Sequence, residues 1–368
     1  LHRLPLITMR PTRAAVLGWT LALATMAGAA SEPGADWAIE SLTTTDVRLV
    51  DTVARLRQTY AEGEGTLSLT GARVRVNYRP AAIDLVSRAR TRTADRAAAQ
   101  LTFRWGTPST LSGVAGGGGY RGFTDYRSVW LAEFYQQLFA GVPGYVPASP
   151  RGWNALAGVR WAYRPASGFL QATVLAQNDK VSPGYEPQIG GPLRRGRENL
   201  QTTALRLSTE NIPGPAVRTL LEAGVIDTTG RPARGSLQGS LNWAAAESWT
   251  LRTVIAGVTE RPAFRAGSAT VTVERDWDAR WFAGLGLRAY RDTGEVVDPL
   301  IPSSAAPALR TWHAMASLRW QGERAAVRLE AGPYRTRYAA LPAPSGQFAR
   351  LYSDRHWRRV QATGEWRF

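Results

Sequence analysis

Ser353, Asp354 and His356 stand together near the end of the chain, and His313 lies 40 positions before Ser353. A hydroxyl, a carboxylate and an imidazole are the parts of a hydrolytic site, because a histidine that titrates near neutrality can take a nucleophile's proton. On an extended strand, however, the i, i+3 spacing of Ser353 and His356 turns their side chains to opposite faces. With 3 histidines and no cysteine, thiol catalysis, iron–sulfur clusters and thiolate zinc sites are excluded, and no metal or other cofactor is expected. Gly117-Gly118-Gly119-Tyr120-Arg121-Gly122 has the bare glycine spacing of a dinucleotide loop. No amphipathic helix follows it and no Walker lysine accompanies it, so it reads as a glycine-rich strand or loop.

Arginine is the more abundant chemistry. Basic residues number 45 against 29 acidic ones, a formal charge of +16, and Lys180 is the only lysine among them. Two arginine-rich runs, 193–197 and 355–359, interleave with glycine or with His356 and Trp357. Such runs can contact nucleic acid, but 14 tryptophans beside a mean hydropathy of −0.24 suit a membrane interface better. The partners expected are outer-membrane lipid and phosphate-rich lipopolysaccharide, with no nucleic acid.

The elements that position these groups begin after an address. Arg10 and Arg13 precede an uncharged run from Ala14 to Ala30 that ends in small residues, the pattern of a secretory signal peptide. Residues 1–30, including the stretch before Met9, are therefore set aside from the fold. In 31–65, Val47, Val50, Val53, Ala54 and Leu56 fall at helical spacing, which predicts one short periplasmic helix. From Thr66 the period becomes two. Valines and Tyr78 alternate with Arg73, Arg75 and Asn77; Leu101, Phe103 and Trp105 alternate with Gln100, Thr102 and Arg104; Trp153 to Tyr163 repeats the pattern. Tight turns near 164–166, 211–215, 246–247, 278–279 and 321–322 alternate with longer Pro/Gly/Ser-rich loops at 179–197, 260–266, 291–309 and 334–356. That is the hairpin rhythm of a membrane barrel.

The last residues, Val360 to Phe368, place Val360, Ala362, Gly364, Trp366 and Phe368 on one face and end in an aromatic. This resembles the C-terminal β-signal that delivers Gram-negative outer-membrane proteins to the barrel-assembly machinery, with Gly364, Trp366 and Phe368 carrying the likeness. The resemblance implies an all-β, antiparallel up-and-down transmembrane barrel in the outer membrane over 66–368, of porin-like architecture. About 16 strands are expected there, with 14 as the smaller even number.

With the apolar face toward lipid, the opposite face carries Arg73, Arg75, Arg88, Arg90, Arg92, Arg104, Arg160, Arg206, Arg218, Arg252, Arg288, Arg319, Arg328 and Arg359, and fewer acids, among them Asp84, Glu222, Glu274, Glu330 and Glu365. An arginine facing mid-bilayer costs ~2–4 kcal/mol, so a ladder of them predicts a wet, positive lumen. The function expected is passive passage of anionic solutes, inorganic anions or acidic saccharides. A different reading of the same architecture is a non-conducting barrel that serves as scaffold or partner in surface-polysaccharide export or envelope assembly.

Overall fold

The computed structural model describes residues 33–60, 64–78, 90–105, 110–122, 151–165, 167–182, 185–186, 194–195, 198–260, 264–294, 307–339 and 352–368. The expected signal peptide lies outside them. Eighteen strands follow one another: β1 (Gly34–Thr43), β2 (Val47–Tyr60), β3 (Gly65–Tyr78), β4 (Arg90–Trp105), β5 (Thr110–Gly122), β6 (Arg151–Tyr163), β7 (Gly168–Ser182), β8 (Tyr185–Glu186), β9 (Arg194–Arg195), β10 (Glu198–Gly214), β11 (Val217–Thr228), β12 (Arg234–Ala246), β13 (Trp249–Glu260), β14 (Phe264–Asp276), β15 (Trp281–Asp292), β16 (Leu309–Gln321), β17 (Ala325–Tyr338) and β18 (Arg355–Arg367). All but the short β8–β9 pair form one closed barrel of 16 antiparallel strands, shut by β1 against β18 from Gly34↔Arg367 to Thr43↔Arg358. Closure leaves no strand edge unpaired, which is what a sheet in hydrocarbon requires.

The connections separate by length. At the end that holds the C-terminus they run from 2 to 4 residues, as at 61–64, 215–216, 247–248 and 322–324, whereas the other end carries 79–89, 123–150, 183–197, 293–308 and 339–354. This is the asymmetry of a barrel with periplasmic turns and extracellular loops. Side chains fix the turns locally. Asp278 Oδ1 accepts from the amides of Arg280 at 2.6 Å and Trp281 at 2.9 Å, an Asx-type turn. Several strands run further than the expected loops allowed, so that 260–266 shrinks to 261–263.

The helix expected within 31–65 is instead the first hairpin, β1 and β2. There are no helices among the described residues. The apparent helical period has a physical origin: β2 is apolar on both faces. Val50, Ala54 and Leu56 face outward, while Val47 and Leu49 turn inward and are 2% and 7% exposed. The barrel thus takes two strands from the segment read as a helix and 14 from 65–367.

Facing residues of paired strands share a side, and exposure identifies the two sides. Leu285, Leu287, Ile255 and Leu237 are 57–70% exposed on the outer side, an apolar band with no protein neighbour and hence a lipid-facing one. Trp105, Trp161, Tyr163, Trp249, Trp281, Trp366 and Phe368 ring its periplasmic edge, and Trp153 and Trp312 stand toward the other, as interfacial aromatics do. Inside the long-loop end, Leu42, Val47, Leu49, Val76 and Tyr78 form one buried cluster on β1–β3, with Trp357 on neighbouring β18 and Leu309 and Phe264 further round on β16 and β14. Its polar tips are satisfied: Arg92 Nε donates to Tyr78 Oη at 2.9 Å and Trp357 Nε1 to Thr336 Oγ1 at 3.2 Å.

Candidate functional site

The inner wall is built from alternate residues of every strand, and its arginines fall into two arrangements. In the first, lateral pairing brings Arg104 of β4 against Ser112 of β5, Ser112 against Arg160 of β6, Arg160 against Thr173 of β7, and Thr173 against Arg206 of β10. Three guanidiniums therefore stand on every second strand of one row, about 10 Å apart at the usual strand spacing. The small hydroxyl residues between them, Ser112 and Thr173, are each 7% exposed. Arg206 pairs with Glu222. Arg104 and Arg160 have no carboxylate partner among the described residues, and Arg160 Nε is buried without a hydrogen bond.

The second arrangement lies across the barrel, and three carboxylates offset most of the charge of its four arginines. Glu274 of β14, 3% exposed, receives Arg252 Nη2 at 3.0 Å and Arg328 Nη1 at 2.7 Å, with Arg319 Nη2 at 4.0 Å. Arg328 also meets Glu330 at 2.8 Å; Arg359 joins Glu330 at 3.4 Å to Glu40 of β1 at 2.8 Å. Six alternating charges thus run from β13 to β1. Glu274 and Arg328 meet over β15 and β16: Glu274 leans across β15, where its inward neighbour is Gly284, and Arg328 reaches back from β17 over Ser317 of β16, 3.5 Å from its Oγ. A Cβ at position 284 would stand 2.9 Å from Glu274 Cγ and 2.8 Å from Ser317 Oγ. Arg319 is held over the Phe282 ring at 4.0 Å.

Other inward arginines are also paired: Arg218 with Glu210, Arg234 with Glu260 at 2.6 Å, Arg57 with Asp36 at 3.5 Å, and Arg355 with Asp46 at 3.7 Å.

Of the arginines expected to face the lumen, Arg90, Arg92, Arg104, Arg160, Arg206, Arg218, Arg252, Arg288, Arg319, Arg328 and Arg359 share the inner side. Arg88 lies outside the described residues, as does Asp84. Arg73 and Arg75 are corrected: they pair with Thr52 and Val50 on the outer side. Leu67 and Leu69 set the outward parity of β3, and with no bulge between, Arg73 and Arg75 must follow them out while Val76 and Tyr78 turn in. Arg73 is compensated there by Asp95 at 2.6 Å, which also holds Arg121 at 3.2 Å.

Sequence reasoning missed Asp36, Glu40, Arg55, Arg57 and Arg96 as inward charges. For the first four, a period-two reading of 34–60 would have found them. Gly364, Trp366 and Phe368 occupy the outer edge of β18 and its end, and the Phe368 amide donates to Pro33 O at 3.1 Å. The glycines of 117–122 belong to strand β5. The hydrolytic residues are not brought together. His313 faces inward, 2% exposed beside Tyr334, whereas His356 faces outward. Ser353 Oγ accepts from Arg355 and Asp354 Oδ1 from the Tyr338 amide.

No protein-family model matches the chain, and no curated protein matches its sequence. Solved structures do match its fold. CdiB from Acinetobacter baumannii superposes with a TM-score of 0.55 at 9% identity, over 91% of this chain and 60% of that one. The FrpB iron transporter from Neisseria meningitidis (F3-3 variant) gives 0.48 at 8% identity, over 83% and 62%. The Pseudomonas putida toluene transporter TodX gives 0.43 at 9%, over 94% and 92%. The chain spans about three fifths of CdiB, and what the two share is the fold. That fold, the apolar outer band and the loop asymmetry are those of a β-barrel of the Gram-negative outer membrane.

Proposed function

We propose that the barrel is a passive outer-membrane pore that favours anionic solutes, inorganic anions or acidic saccharides. Sixteen strands give a barrel of the size that encloses an aqueous channel in porins. The observation that carries the anion preference is the row Arg104, Arg160 and Arg206, in which two guanidiniums have no carboxylate partner. Fixed positive charge on a low-dielectric wall raises the local concentration of anions. The four arginines gathered around Glu274, Glu330 and Glu40 contribute less to that field, because three carboxylates offset most of their charge.

The test is single-channel current in a planar bilayer under a potassium chloride gradient. Steady conductance with a chloride-favouring reversal potential is expected, moving toward neutrality in Arg104→Gln/Arg160→Gln. A cation-favouring potential, or one indifferent to that double substitution, overturns the preference. Silence from folded, heat-modifiable protein overturns the pore itself and leaves the non-conducting scaffold as the reading to pursue.

A further inference from the structure

Arginines also face outward, and in one row three of them stand side by side without a counter-charge. Arg291 of β15 is paired directly with Arg310 of β16, and Arg310 directly with Arg337 of β17. Like charges placed opposite one another on adjacent strands are destabilising, yet here three stand side by side, all exposed. Arg265 of β14 joins them to line a cleft of about 720 Å³ with Gly267 and Asp354. No ion pair neutralises these four arginines among the described residues. Asp292, next to Arg291 in sequence, turns inward and accepts from the amides of Gly294 at 2.9 Å and Leu309 at 3.0 Å. Asp354 uses one oxygen on the Tyr338 amide. Four positive charges therefore stand at the cleft against two carboxylates, Asp292 and Asp354, each engaged by backbone amides. The contrast with β3–β5 is direct, since there Asp95 neutralises the outward pair Arg73 and Arg121.

Depth says what the cleft meets. On β15 the outer side runs from Trp281 through Leu285 and Leu287 to Arg291. Ten residues of strand rise about 33 Å, or ~25 Å along the membrane normal at the usual tilt, which is the height of the apolar band. The arginine row thus stands at its upper edge, on the long-loop side, where the headgroups of the outer leaflet lie. Guanidiniums bind phosphate with paired, charge-assisted hydrogen bonds.

We propose that this cleft is a binding site for a phosphate-bearing glycolipid headgroup of the outer leaflet, held by Arg291, Arg310 and Arg337 with Arg265 at its edge. Headgroup phosphates then offset the repulsion within the row. The site is independent of whether the lumen conducts.

Purified, folded protein in detergent, titrated with bisphosphorylated lipid A and observed by native mass spectrometry, tests it. The expected result is a lipid-bound species whose affinity falls at least tenfold in Arg291→Gln/Arg310→Gln/Arg337→Gln, and at least tenfold for lipid A stripped of its phosphates, with inorganic phosphate at the same concentration failing to compete. Equal affinity in the triple variant places the lipid elsewhere and overturns the proposal. Equal affinity for dephosphorylated lipid shows acyl-chain binding only, and efficient competition by inorganic phosphate shows a soluble-anion site; either overturns it as well. Should the triple variant lose its heat-modifiable band, Arg310→Gln, at the centre of the row, carries the same comparison. Conductance in a pure phospholipid bilayer is measured separately, so failure here leaves the pore reading intact.

Discussion

Trp37 lies across Gly364 on the outer face of the seam that closes the barrel, the two residues being direct partners between β1 and β18. A Cβ at position 364 would stand 2.5 Å from Nε1 of the Trp37 ring. The glycine lets the indole lie flat against the last strand, covering backbone that would otherwise face lipid. Gly364→Val is expected to force the ring away at a cost of about 1–3 kcal/mol, read as a lower urea midpoint for loss of the heat-modifiable band. An unchanged midpoint would mean that the ring finds another seat.

Glu274 is the common partner of Arg252, Arg319 and Arg328. Removing its charge leaves Arg252 and Arg319 without their anion and Arg328 with Glu330 alone, so Glu274→Gln should destabilise the barrel by about 3–5 kcal/mol. The same change adds positive charge to the lumen. Stability and chloride preference should therefore move in opposite directions, and a variant that loses neither contradicts the hub assignment.

Leu285 is 70% exposed in the middle of the outer band. Leu285→Arg should cost ~2–4 kcal/mol in a bilayer. Arg291→Gln, one turn of the pleat pattern above Ala289 on the same outer side, should cost almost nothing by the same equilibrium refolding measurement. If both substitutions are equally mild, the band does not face lipid.

His313 has a buried Nε2 with no hydrogen-bond partner and an edge contact with the Tyr334 ring at 5.9 Å between centroids. Phenylalanine keeps the ring contact and removes the unpaired nitrogen, so His313→Phe should leave stability within about 1 kcal/mol of the original or raise it. A marked loss in thermal or urea unfolding would reveal a partner for that nitrogen.

The barrel was legible because its signal is collective. One alternating hexapeptide cannot say which face is in, but repeated alternation, short turns set against long loops, and an aromatic terminus agree on a closed antiparallel sheet. The errors fall where that collective signal thins. β2 carries valines and leucines on both faces because the inner wall buries an apolar cluster near the long-loop end, and the resulting spacing imitates a helix. In β3, the run from Arg73 to Tyr78 alternates cleanly, yet its parity is inherited from Leu67 and Leu69 lower in the strand. The inner ion pairs were beyond sequence reasoning for another reason: Glu274 and Arg328 meet over two intervening strands, where Gly284 leaves room for the carboxylate. Such contacts depend on curvature and on which residues leave room.

The two inner arrangements stand on opposite halves of the circumference. Arg104, Arg160 and Arg206 belong to β4, β6 and β10, while Glu274, Glu330 and Glu40 belong to β14, β17 and β1, about half a circuit away. Any field they set up inside the barrel points across the diameter as well as along the axis. In the pore proposed above, a solute with separated charges would be turned as it passes, its negative end toward β4–β10 and its positive end toward the carboxylates of the facing wall.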